Sequence, residues 1–160
     1  MARTSQAGND SGRAVEAVRA LARVSSLLER ASGELSLAHY RVLSAISSGD
    51  ERASRIASRL ALGKPTISVA VKSMCQRGLL VRVDVAGDLR AVDLRLTPEG
   101  QDLLERVEAE MIHRIEHVSS KAADPAAMME SLVQLGYAIE EVVAERAEGY
   151  GPAGRVGARK

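Results

Sequence analysis

Apolar residues recur at three- and four-residue steps from about Ser11 to Ala31, where Ala14, Ala17, Val18, Leu21, Val24 and Leu28 share one stripe. That period predicts an amphipathic helix, ended by Gly33. A second helix is expected after Ser36, whose hydroxyl suits an N-cap, with Tyr40, Val42, Leu43 and Ile46 inward. Ser47–Asp50 reads as a turn. A short third helix, about Arg52 to Leu60, sets Ala53, Ile56, Ala57 and Leu60 on one side and Arg52, Arg55 and Arg59 on the other. Leu62-Gly63-Lys64 forms a tight connection, and Pro65 suits the first turn of a fourth helix that stops at Gly78. On that helix Ile67, Ala70, Val71 and Met74 share a face. Ser68, Val69, Lys72, Ser73 and Gln76 lie on or near the opposite one.

The period then drops to two. Val81, Val83 and Val85 alternate with Arg82 and Asp84, and Val92, Leu94 and Leu96 alternate with Asp93 and Arg95. This pattern predicts a hairpin with one apolar side, its tip at Ala86–Arg90. Thr97-Pro98 opens a long helix to about Ala122, striped by Leu104, Val107, Met111, Ile115 and Val118. Asp124-Pro125 caps a last helix to about Ala147, striped by Met128, Leu132, Leu135, Ile139 and Val142.

The polar start, residues 1–11, reads as disordered, and residues 149–160 as a flexible basic tail rich in glycine. Residues 12–148 then form a single domain. The hydrophobic fraction is 46% but the aromatic fraction is 2%, so the core is aliphatic and single-strand binding on stacked rings is disfavoured. One cysteine, Cys75, excludes an intrachain disulfide framework. Neither a membrane-spanning run nor a secretory signal is expected, so the cytoplasm is the default compartment.

Charge is unevenly spread behind a net value of +1. Residues 36–97 carry ten Arg and Lys against five Asp and Glu, whereas residues 98–160 carry seven against twelve. The basic block coincides with three helices followed by a hairpin. That is the order of a winged helix-turn-helix, in which the last of the three helices enters the DNA major groove and the wing reaches the minor groove. The expected fold is therefore mainly α with a small β-wing: a winged helix-turn-helix core at 36–97, and dimerisation helices at 12–32 and 98–148.

The stretches RIASRLALGKPTISVAVKSMCQRGLL and DLRAVDLRLTPEG, with the long helices on either side, resemble the multiple antibiotic resistance regulator (MarR) family of transcription factors. The resemblance spans about Gly12 to Ala147. It implies a homodimer with intertwined terminal helices, a pseudo-palindromic double-stranded operator, and repression relieved by a small aromatic or amphipathic ligand. The family's wing usually reads Asp-x-Arg-Asp-x-Arg; here Val85–Arg90 keeps only Asp88 and Arg90. By this resemblance Arg90 is the minor-groove arginine and Asp88 braces it. Thr66, Ser68, Val69, Lys72 and Ser73 are placed to meet bases, although the family often has arginine at the positions of Val69 and Ser73. Val69 suits a thymine methyl, and Lys72 a guanine or a phosphate. Tyr40 and His39 would border the effector crevice, with Arg19 or Arg23 offering a cation to an acidic ligand.

Other groupings weigh less. His113 and His117, four residues apart on one helix, could face one metal ion, with His39 as a third ligand; two helical histidines are a weak signal, and the competing reading is a polar lining of the ligand crevice or simple surface. Cys75 lies at the edge of an apolar face and reads as a packed small residue, with a thiol sensor as the alternative. No nucleophile elbow, phosphate loop or metalloprotease motif is present, so neither an enzyme nor a cofactor is expected. The competing functional class is a winged-helix module that binds protein rather than DNA. A metal- or thiol-sensing regulator would differ only in its effector.

Overall fold

The computed structural model describes the backbone of residues 2–50, 52–85 and 88–149, and side chains within these except at 2–9, 85, 88–91 and 147–149. Helix α1 is Ala2–Ala31, α2 Leu37–Ser47, α3 Ala53–Arg59 and α4 Lys64–Gln76. Strands β1 (Leu80–Val85) and β2 (Asp88–Leu96) follow, then α5 (Pro98–Ser119) and α6 (Pro125–Gly149). The element order is the expected one: helices around one antiparallel hairpin.

Local chemistry explains the boundaries. The Ser36 hydroxyl accepts from the His39 N–H at 3.2 Å, capping α2, while the Glu29 carboxylate accepts from the Leu37 N–H. Thr97 caps α5 by accepting from the Gly100 N–H at 3.0 Å, and its hydroxyl donates to the Gly78 carbonyl at 2.6 Å. Gly78 has φ +72, the left-handed conformation that ends α4 and starts the wing.

Three expectations change. The helix predicted from Ser11 continues back to Ala2, over the segment read as disordered. Ala2, Arg3, Gln6 and Ala7 are good helix formers, and no proline interrupts them. The hairpin tip is shorter than expected: Asp88–Arg90 belong to β2, and the tail 150–160 lies outside the described residues.

The hairpin also lacks a single apolar side. Its register pairs Leu80 with Leu96 and Arg82 with Leu94, so Val81 falls opposite Arg95 and Val83 opposite Asp93. Leu80 and Leu94 are buried, whereas Val81 and Val92 are exposed. Strand β1 starts one residue earlier than the valine alternation suggests, and a one-residue change in pairing sends the valines to the other face.

One aliphatic core joins the elements. Leu43 and Val42 of α2, Ile56 of α3, and Ile67 and Met74 of α4 are essentially fully buried. Leu103, Leu104 and Val107 of α5 close the same cluster. The stripe on α6 differs: Leu135, Ile139 and Val142 remain exposed, as do Val15, Val18 and Leu21 on α1.

Candidate nucleic-acid interface

Helix α4 packs on α2, α3 and β1 through Ile67, Ala70, Val71 and Met74. At 3.6 residues per turn, the side chains directed most squarely away from that face are Pro65, Val69, Lys72 and Gln76, which make one ridge. Thr66 and Ser68 flank it and are exposed; Ser73 is half-buried. The five residues expected on α4 thus share one outward surface. Pro65 and Gln76 belong to it as well. Gln76 was legible from its helical position, whereas Pro65 reads in sequence only as a helix-starting residue.

The arginines of α3 do not form a free basic row. Arg52 Nε lies 3.6 Å from Asp93 Oδ1 of β2, which ties the start of α3 to the wing. Arg59 pairs with Asp50 at 3.0 Å and with Glu140 of α6 at 3.6 Å, and the Asp50 hydrogen bond holds its guanidinium more firmly charged. Arg55 is exposed and has no ion pair among the described residues. The side chains of Asp88 and Arg90 lie outside the described residues; their backbone is in β2, at the tip end of the wing.

The four residues expected at an effector crevice are not brought together. Arg23 lines a groove of about 690 Å³ between α1 and α5, with Arg30 and Arg114 beside it and Ala22, Leu27 and Ala31 beneath. Tyr40 lines a different cavity, of about 240 Å³, among α2, α3 and α6, with Arg41, Arg59 and Glu140. His39 is near Arg77: burial lowers its pKa, and that guanidinium lowers it further. Arg19 is exposed on α1 outside both cavities. His113 and His117 are both exposed, and no three His, Cys, Asp or Glu side chains converge as a metal site among the described residues. Cys75 is half-buried against the core.

A helix with a packed face and an exposed outward ridge, braced by two helices and followed by a hairpin, defines a winged helix-turn-helix. Residues 34–91 match the MarR_2 model of the MarR family. Over that segment the chain is similar to the MarR family of transcription regulators. A MarR family transcription regulator designated SP03579 superposes with a TM-score of 0.71 at 18% identity, covering 90% of this chain and 97% of that one. The repressor CouR, solved bound to a 23-mer DNA duplex, gives 0.67 at 25% identity over 79% and 89%. PcaV of Streptomyces coelicolor, solved with its natural ligand, gives 0.59 at 27% identity over 75% and 88%. No curated protein sequence matches the chain. Among the described residues, no helix is long and apolar enough to cross a membrane.

Proposed function

We propose that this chain is a cytoplasmic, homodimeric repressor that binds a pseudo-palindromic double-stranded operator and is released by a small acidic amphipathic ligand. The observation that carries the reading is the exposed outward ridge of α4, where Lys72 and Gln76 stand with Pro65 and Val69, on the element that a winged helix inserts into the major groove. Thr66, Ser68, Val69, Lys72 and Ser73 face the bases, and Arg90, braced by Asp88, enters the minor groove from the wing. The protein works by binding and not by catalysis.

The dimer follows from unpartnered apolar faces. Val18 is 66% exposed on α1, and Ile139 is 54% exposed on α6, each within a row of exposed apolar neighbours. Such contiguous surface is unusual on a soluble monomer and is covered economically by a second copy of the same helices. The effector reading rests on the α1–α5 groove, whose arginines and apolar floor suit an anion with a hydrocarbon body.

Affinity for selected operator and for scrambled duplex, titrated with salt, tests this function. A specific regulator binds the operator about 10³-fold or more tighter than the scrambled duplex, with an affinity that falls steeply as salt rises. Arg90→Ala is expected to weaken both and to lower the salt slope by about one per wing. Equal, salt-independent binding to both duplexes, or unchanged affinity in Arg90→Ala, rejects DNA recognition by this wing. Light scattering on the same sample reads the dimer directly.

A further inference from the structure

Val69 is the most exposed large hydrophobic side chain among the described residues, at 70%. Most of the other exposed apolar side chains lie in rows on α1 and α6, where a second copy accounts for them. Val69 does not. It stands in the second turn of α4, on the ridge with Pro65, Lys72 and Gln76, and Thr66 and Ser68 to either side are polar.

Chemistry narrows what such a residue meets. Base edges in the major groove present hydrogen-bond donors and acceptors, and their one apolar group is the 5-methyl of thymine. Valine cannot bond to a guanine or adenine edge, and pressing it there strips water from acceptors without replacing it. Its branched side chain holds one main rotamer in a helix, so its methyl groups point in a fixed direction and lose little freedom on contact. The outward cations of α4 are Lys64, at its first residue, and Lys72, and the helix has no arginine. The paired hydrogen bonds by which an arginine reads guanine are therefore absent from α4, and apolar contact has a larger share in discrimination.

We infer that Val69 is a specificity-determining residue and that it reads the 5-methyl group of one thymine in each operator half-site. The inference rests on the DNA-binding reading above and adds the base that is read.

The test uses the full chain and a duplex selected by it from a random pool. Each thymine is replaced singly by deoxyuridine, which removes only the methyl group. Affinity is then measured for the parent, Val69→Ala and Val69→Ile. One replacement per half-site is expected to weaken the parent about fourfold, the worth of one buried methyl. The same replacement should change Val69→Ala less than twofold, while Val69→Ile keeps the parent's sensitivity. Affinity for scrambled duplex should be alike in all three, which also shows that the variants are folded. The inference is overturned if no thymine is methyl-sensitive, or if Val69→Ala is as sensitive as the parent. A parent that binds the selected duplex without any methyl dependence overturns the thymine assignment alone. A parent with no salt-dependent duplex binding overturns both this assignment and the DNA-binding reading.

Discussion

Tyr40 and Glu108, sixty-eight positions apart, meet where α2 crosses α5, the phenol donating to the carboxylate Oε1 at 3.4 Å. The contact joins a helix of the DNA-binding lobe to the long helix that leaves it. At that length the hydrogen bond is weak. Burial raises the Tyr40 pKa first, and the Glu108 charge raises it further.

A raised phenol pKa means that the fold favours the neutral form. Its stabilising effect is complete below the unfolded value of about 10 and is lost as pH rises through the higher folded value. Tyr40→Phe is expected to cost less than about 1 kcal/mol at neutral pH. It should also flatten the decline of stability above about pH 10. Thermal unfolding of parent and variant between neutral and strongly alkaline pH measures both effects. An unchanged alkaline slope would show that Tyr40 does not titrate late.

His39 gives the opposite sign at the other end of the scale. Its lowered pKa means that the fold favours neutral imidazole. Stability is complete above the unfolded value of about 6.5 and declines as pH falls toward the lower folded value, below which the loss is constant. His39→Gln should remove that portion of the decline while leaving neutral stability close to the parent's. Denaturant midpoints at about pH 7.5 and pH 5.5, either side of the unfolded value, give the comparison.

Gly100 in the first turn of α5 sits directly on the chain that enters the wing. A β-carbon there would fall on the Leu79 carbonyl oxygen. That oxygen accepts from the Thr97 N–H at 3.1 Å, and the Leu79 N–H donates to Met74 at 2.9 Å, so the backbone is pinned from both sides. Gly100→Ala should destabilise by about 1–3 kcal/mol, although alanine is the better helix former. Gly12→Ala on α1, where the added carbon meets nothing within 4 Å, should be neutral or stabilise by up to about 1 kcal/mol. Melting temperatures that fall for the first and not the second confirm the close approach.

Much of this fold is legible in the sequence because helix periodicity and caps act locally. Ser36 and Thr97 cap the helices that their hydroxyls predict, and the buried face of α4 is the one that its period marks. What depends on pairing between distant segments is not legible. The valine alternation of the wing describes each strand but not its register, which turns on Leu80 meeting Leu96. The turn before α4 is marked in sequence by Gly63, yet the positive φ falls on Ala61, at +50, where the Ala61 N–H donates to Ser58 and the Leu62 N–H to Ala57 and so close the end of α3. For the site, the ridge of α4 follows from one helix's geometry, whereas Arg23 and Tyr40 enter different cavities because of how α1, α5 and α6 cross.

That separation makes the effector site testable. In the α1–α5 groove, Arg114 is already held by Glu110, with its Nη2 2.8 Å away and its Nε 2.9 Å away. Arg23 and Arg30, two turns apart on α1, have no ion pair or hydrogen bond among the described residues. A carboxylate placed over Leu27 and Ala31 therefore meets two available guanidinium groups, and a hydrogen bond to a charged group contributes about 1.5–3 kcal/mol. Using salicylate as the probe, Arg23→Gln or Arg30→Gln should weaken binding about tenfold or more by titration calorimetry. Each should also raise the ligand concentration needed to release operator DNA. Tyr40→Phe should leave salicylate affinity unchanged, since Tyr40 lines the other cavity. The reverse pattern, with binding lost in Tyr40→Phe and kept in both arginine variants, moves the effector site to the cavity among α2, α3 and α6.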